Sequence, residues 1–297
     1  MQDILPQLLV NTLITGSIYA IAASGMALTY GVMRILNFSH GHMMMLGAYI
    51  FFYLRYKLEL NLFSAISLNM LCICCVGYVA NKIFIQSFLK YDNYLPLITT
   101  LALANILEAL VSLVFGVDVQ SLTLEQFSQS IEYRDIFITP IQIVIIASSL
   151  LVICILASVL NLSSYGKKVK AVAENKYSAQ SIGINSNAIT SCIFILSSLL
   201  ASLAGVLVSY ETNLQITMGK LYTMKAMAAM VLGGLGNLWG TLAGAYIIAL
   251  IENLSSGLDL GNFSLPAGYK DAFSFSIILL VLLIKPKGIF SSWYRKV

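Results

Sequence analysis

The chain contains two histidines, His40 and His42, in the stretch Arg34-Ile35-Leu36-Asn37-Phe38-Ser39-His40-Gly41-His42. A metal site needs donors that share a helix face and a further ligand close by; an i, i+2 pair supplies neither. The stretch reads instead as a polar break at the end of the first apolar run. Asn37 and His40 there satisfy backbone groups that an interrupted helix sets free. A proton relay through histidine is the other chemistry open to this residue type.

Three charged groups fall within apolar runs. Glu108 lies mid-run in Leu103-Ala104-Asn105-Ile106-Leu107-Glu108-Ala109-Leu110, where an ion is expensive and normally points into a bundle or a wet cavity. Glu252 is nearer the end of the run 222–254, where it can reach the interface, and Lys225 near its start is placed to snorkel. An ion-coupled carrier built on Glu108 is an alternative, although several such groups together would be expected for it. There is no GxxxxGK[ST], HExxH or GxSxG, so neither ATP hydrolysis nor another enzyme activity is expected of this chain. The glycine-rich stretch Gly233-Gly234-Leu235-Gly236-Asn237-Leu238-Trp239-Gly240 spells GxGxxxG from Gly234, one residue too long for a dinucleotide fingerprint. Cys72, Cys74, Cys75, Cys154 and Cys192 sit in apolar runs and read as buried small hydrophobes.

The longest polar interlude, Ser163–Asn187, carries Lys167, Lys168, Lys170 and Lys176 against one carboxylate, Glu174. Val169, Val172 and Ala173, then Tyr177, Ala179 and Gln180, predict a short amphipathic helix that stops near Gly183. Two readings stay open on these residues. One is a basic loop resting on anionic lipid; the other is a dock for a soluble partner.

The elements that must position these groups follow from composition. The 297 residues are 59% hydrophobic and 10% charged, with a net charge of +4 and a mean hydropathy of +0.86. A soluble domain is about 45–50% apolar and about 25% charged, so too few charges exist here to cover a water-facing surface. The expected class is all-α: one polytopic membrane domain, residues 1–297, with about eight to nine crossings. Apolar segments fall at 7–32, 40–55, 61–86, 95–116, 138–162, 188–210, 222–254 and 271–285. The absence of period-2 alternation excludes a barrel. No Lys or Arg precedes Arg34, so the basic start of a cleaved signal peptide is missing and the first span is expected to remain in the mature protein.

Lysine and arginine set the orientation. Loop 117–137 holds Asp118, Glu125, Glu132 and Asp135 against one Arg134 and is placed outside. The interlude 163–187 and the tail with Lys285, Lys287, Arg295 and Lys296 are placed inside, as are Lys82 and Lys90. The N-terminus is then outside and the C-terminus cytoplasmic. Arg55 and Lys57, softened by Glu59, are the exception. With loop 211–220 outside and the tail inside, an odd number of crossings must separate them. Residues 222–254 are therefore expected to form a helical hairpin broken at the glycines. Four-residue stripes of small residues (Gly16, Ala20, Ser24; Ser197, Ala201, Gly205, Ser209; Gly236, Gly240, Gly244) point to close helix packing.

Several motifs in order along nearly the whole chain resemble the inner-membrane permeases of bacterial ABC importers for branched-chain amino acids. They are Gly16-Ser-Ile-Tyr19-Ala20, Tyr30-Gly31-Val32, Asn37-Phe38-Ser39-His40-Gly41, Leu46-Gly47-Ala48-Tyr49, and Ala171-Val-Ala173-Glu174-Asn175 with Gly183-Ile184-Asn185. Met224-Lys225-Ala226, Val231-Leu-Gly233-Gly234-Leu-Gly236, Tyr269-Lys270-Asp271 and Pro286-Lys287-Gly288-Ile289 complete the match. The resemblance implies a second, homologous permease, two cytoplasmic ATP-binding subunits that use the ATP, and a periplasmic solute-binding protein docking on outer loops such as 117–137 and 255–269. This chain would bind no cofactor. The resemblance further implies that Ala171, Glu174, Asn175, Gly183 and Ile184 belong to the segment coupling to the ATPase. Lysines replace the arginines common at the start of that segment, keeping charge but losing the bidentate fork. Trp239 stands where relatives often have proline. Related permeases carry urea, short amides or other amino acids, which are the alternative solutes. The expected solute path runs by Asn37, His40, Gly41, Gly233, Gly234, Gly236 and Asn237, where exposed backbone can meet a polar solute.

Overall fold

A computed structural model describes residues 5–89, 94–122, 131–133, 136–257 and 270–290. Outside them lie Lys90, Arg295, Lys296 and Tyr269, most of the expected docking loop 255–269, and residues 123–130, 134 and 135 of loop 117–137. The described chain is almost wholly helical. The order is α1 (Leu5–Met33), α2 (His40–Phe52) running on as a π-turn to Lys57, α3 (Leu62–Ala80) running on likewise to Gln86, and α4 (Leu95–Phe115). A two-stranded hairpin, β1 (Ile131–Tyr133) and β2 (Ile136–Ile138), leads into α5 (Pro140–Leu162). Then come α6 (Ser164–Glu174), α7 (Lys176–Ser181), α8 (Ser186–Glu211), α9 (Met218–Gly233), α10 (Leu238–Gly257) and α11 (Lys270–Ile284).

Local chemistry sets the helix starts. Pro140 opens α5, where its missing N–H is no loss, and the Thr139 N–H donates to Gln142 Oε1 at 3.0 Å. Asn185 Oδ1 accepts from the Ala188 N–H at 3.1 Å to begin α8. The hairpin is tied to the start of α1 by one side-chain amide. Gln7 Nε2 donates to the Phe137 carbonyl at 3.1 Å and the Phe137 N–H donates to Gln7 Oε1 at 2.8 Å, so Gln7 mimics a further strand.

Among the described residues, six helices are long and apolar enough to cross a membrane: α1, α3 with its π-turn, α4, α5, α8 and α10. In their most apolar stretches, α1 is 67% and α8 61% buried, against 22% for α3 and α5 and 28% for α4. The first two therefore form the centre, while α3, α4 and α5 turn large apolar side chains such as Phe63, Leu113 and Leu150 outward. The expected small-residue stripes lie at the closest approaches. Gly16 faces the Tyr246 ring, Gly205 the backbone of Met44, and Gly244 the carbonyl of Ala229. The cysteines differ from expectation. All five are free, with Cys75, Cys154 and Cys192 exposed and Cys72 and Cys74 half-buried. An apolar run marks a helix, and the face on which a small residue falls depends on how the bundle packs.

The polar break after α1 goes deeper than a helix end. His40 Nε2 meets the Ala22 carbonyl at 2.8 Å and His40 Nδ1 meets Ser197 Oγ at 3.3 Å. Ala22 lies eleven residues before Met33, so α2 begins about 16 Å back along α1, at 1.5 Å per residue. Residues 34–39 climb that distance in extended or turning backbone beside the helix they have just left. α2 runs parallel to α4: His42 sits against Glu108, and seven residues further along both helices Tyr49 meets Phe115 with ring centroids 5.3 Å apart.

Candidate functional site

The start of α2 meets the start of α9. The Gly41 N–H donates to Thr223 Oγ1 at 3.0 Å, and Thr223 Oγ1 donates to the Gly219 carbonyl at 2.7 Å. A Cβ on Gly41 would overlap the Gly219 carbonyl, and one on Gly219 would come within 2.9 Å of the His42 ring. Only paired glycines allow this approach. From this junction the helices run in opposite directions. α2 proceeds toward Phe115, whereas α9 ends beside the last turn of α1, where Gly236 approaches Gly31 and Arg34. Two half-length helices thus begin at one level, deep within the bundle.

Over this junction opens a cavity of about 610 Å³, within the range of sites for small solutes. Its wall includes Asn105, Glu108 and Ser112 of α4, one helix face at i, i+3 and i+7, and Gln215 and Thr217 from the segment entering α9. That segment is fixed by a bridge to the end of the loop after α4: Gln120 and Leu214 exchange backbone hydrogen bonds at 3.1 and 2.8 Å. Glu108 Oε2 lies 3.3 Å from His42 Nε2; the His42 side chain is 6% exposed and that of Glu108 39%. The histidine is therefore buttress and the carboxylate is reachable.

A second polar cluster is buried below the helix surfaces. Lys225 Nζ lies 3.0 Å from Glu252 Oε2 and 2.9 Å from Asp271 Oδ1, joining α9, α10 and α11. The Tyr19 hydroxyl of α1 donates to Glu252 Oε2 at 2.7 Å and accepts from Lys225 Nζ at 2.8 Å. This corrects the sequence reading of Lys225 as a snorkelling residue and Glu252 as an interfacial one. Their side chains are 5% and 7% exposed, and two ions so buried persist because they neutralise one another.

The expected path residues divide into two groups. Asn37, His40 and Gly41 lie at the helix junction, where Asn37 Oδ1 accepts from the Ser39 N–H and hydroxyl at 3.1 and 2.7 Å. Gly233, Gly234, Gly236 and Asn237 lie at the far end of α9. There Gly233 packs against Gly240, and the segment after α11 covers the break: the Ile289 N–H donates to the Leu232 carbonyl at 2.8 Å and Asn237 Nδ2 to the Phe290 carbonyl at 2.8 Å. The two groups do not share one lining. Trp239 points outward, 59% exposed.

The basic interlude lies at the end of the bundle where α1 finishes and forms two helices, α6 and α7, where one was expected. Asn175 is extended (φ −152°, ψ 110°), and its Oδ1 accepts from the Tyr177 and Ser178 N–H groups at 3.0 Å, ending one helix and capping the next. Val169, Val172 and Ala179 are buried, whereas Tyr177 and Ile182 stand 80% and 74% exposed. Gly183 (φ +84°) makes the stop, with Ile184 N–H donating to the Ala179 carbonyl at 3.1 Å. Ala171 is half-buried; Glu174 and Asn175 are exposed.

Sequence reasoning gave no site role to Tyr19 and Asp271, quoted only within motifs, and did not single out Gln215 and Thr217. The Asn105–Glu108–Ser112 face was legible as the polar stripe of an otherwise apolar helix.

The family model described as branched-chain amino acid transport system / permease component matches residues 8–282. The chain is 29% identical to the high-affinity branched-chain amino acid transport system permease protein BraD of Pseudomonas aeruginosa, over 95% of this chain and 94% of that one. It is 30% identical to the permease protein LivH of the corresponding Salmonella typhimurium system, with the same coverage of both chains. Among solved structures it is similar to PsaBC from Streptococcus pneumoniae in complex with Fab (TM-score 0.49, 14% identity, 94% of this chain and 92% of that one). The match runs through every span-length helix, and the chain belongs to the branched-chain amino acid transport system permease family.

Proposed function

We propose that this chain is the membrane permease subunit of an ATP-driven importer that translocates branched-chain amino acids delivered by a periplasmic binding protein. The observation that carries the reading is the family match over residues 8–282. The partners proposed are a second homologous permease, two cytoplasmic ATP-binding subunits and the binding protein, in a bacterial inner membrane. ATP is bound and used by the partner subunits.

The proposed topology has nine crossings, with the N-terminus outside and the C-terminus cytoplasmic, its orientation taken from the distribution of Lys and Arg. In it, residues 34–57 and 212–233 each cross as a descending or climbing segment plus a half-length helix, and α9 and α10 form the hairpin expected around the glycines. The lysines of α6 and α7 then face the cytoplasm, in keeping with the positive-inside rule. The exposed Tyr177 and Ile182 between two spans suit insertion into a cleft of an ATPase. Closure of the ATPases on ATP would move α6–α7 as a unit and shift the bundle between outward- and inward-open states. Asn37, His40 and Gly41, at broken helices deep in the bundle, and Gly233–Asn237 nearer the cytoplasm are proposed as successive parts of one path rather than one lining.

A tagged chain solubilised from its own membrane tests this. It should co-purify with a second permease and two ATP-binding subunits, and uptake by those cells should survive an uncoupler while ATP is held constant. A chain recovered alone, with uptake abolished by the uncoupler, identifies an ion-coupled carrier instead.

A further inference from the structure

We infer that Glu108 is the anchor for the ammonium group of the transported amino acid, in an outward-facing cavity of the permease itself; this rests on the import reading above. The cavity offers two chemistries side by side. The lining carries a single carboxylate, Glu108, with Asn105 and Gln215 as neutral hydrogen-bonding groups, and the aliphatic side chains of Val117, Val119 and Ile216. A solute with an ammonium group and a branched aliphatic side chain uses both kinds of group. Urea or a short amide uses neither fully: it brings no cation for the carboxylate and no aliphatic bulk for the valines. The solute classes left open by the sequence are thus separated at this site.

Placement also fits a transient anchor. His42, behind Glu108 at 3.3 Å, fixes one carboxylate oxygen, while the side chain remains 39% open toward the cavity. His42 also packs against Gly219, which ties the anchor to the close junction of α2 and α9. Within a low-dielectric bundle a carboxylate–ammonium hydrogen bond is charge-assisted and directional, yet a single such contact leaves the solute free to depart.

The test uses the complete transport complex in vesicles with binding protein in excess. Glu108→Gln should lower the leucine uptake rate by ~10- to 100-fold, the scale of losing one hydrogen bond to a charged group, and Glu108→Asp should recover part of it. Leu150→Ala, on the outward face of α5 and away from the cavity, should stay within about twofold of wild type. A readout on the otherwise intact site guards against misfolding: a Val119→Cys thiol, followed by mass spectrometry, should be protected from maleimide by L-leucine and not by 4-methylpentanoate, which lacks the ammonium. Wild-type uptake without dependence on ATP would refute the importer reading. ATP-driven wild-type uptake with Glu108→Gln unimpaired, or equal protection by both compounds, would overturn this inference and leave the importer reading intact.

Discussion

Removing the lysine of the buried cluster isolates what that cluster contributes. Lys225 is the cation between Glu252 and Asp271, so the wild-type group has one positive against two negative charges. Lys225→Met leaves two carboxylates facing each other across α10 and α11, one of them on a side chain only 7% exposed. Breaking a buried pair by deleting one partner costs about 3–5 kcal/mol, mostly from the stranded charge. Asp271, at 31% exposure, reaches water and bears less of that cost. The double variant Lys225→Met/Glu252→Gln returns the net charge to −1 and keeps a hydrogen-bonding partner for the Tyr19 hydroxyl, which lies 2.7 Å from Glu252. It should therefore be more stable than Lys225→Met alone, recovering roughly half the loss or more. Thermal unfolding of the purified complex in detergent, followed by the fraction that remains monodisperse, measures both. If Lys225→Met matches wild type, or the second substitution lowers stability further, the cluster is not held by charge neutralisation and the reasoning fails.

The remaining predictions address α6 and α7, the glycine contacts and the topology. Gly183→Pro cannot adopt φ +84° and removes the N–H that donates to the Gln180 carbonyl at 3.0 Å. It should abolish uptake and ATPase stimulation while membrane insertion, read by fractionation, persists; Glu174→Lys, on an exposed face, should do the same by reversing charge. Gly233→Ala would drive a methyl into the Gly240 carbonyl and should sharply reduce folded yield, whereas Gly31→Ala, with its nearest neighbour at 3.5 Å, should express normally. Fluorescence-detected size exclusion separates these two. Cysteines at Val119 and Leu235, both exposed, should react with impermeant maleimide from opposite sides of the membrane; labelling from one side refutes the proposed hairpin.

Helix positions were legible because an apolar run of membrane length is a one-dimensional signal. The run expected at 61–86 is α3 with its π-turn to Gln86, and that at 95–116 is α4 at Leu95–Phe115. The glycine-rich interruption of 222–254 likewise marked where α9 ends and α10 begins. What joins helices was much less legible. Lys225 finds Glu252 and Asp271, 27 and 46 residues away in sequence, through the packing of α9, α10 and α11, which a periodicity does not encode. The depth at which α2 starts was hidden for a similar reason. Residues 40–55 read as a short span, and only the contact of His40 with Ala22 reveals how far the chain has climbed back. A clue to the cluster was nonetheless present. Two ions of opposite sign in the two halves of one glycine-broken apolar run each need a partner, and each other is the most economical one. In α6 and α7, apolar spacing found the buried Val169, Val172 and Ala179 but also counted Tyr177 and Ile182, which are exposed, while Asn175, a good N-cap inside the pattern, was passed over as a helix residue.

The most direct test of the account is the initial rate of radiolabelled L-leucine uptake into vesicles that carry the reconstituted complex and loaded binding protein. The rate should require ATP on the side of α6–α7, persist after the proton gradient is collapsed, and fall to background when the partner ATPases are made unable to hydrolyse ATP. Uptake that continues without hydrolysable ATP, or that stops with the proton gradient alone, would contradict it.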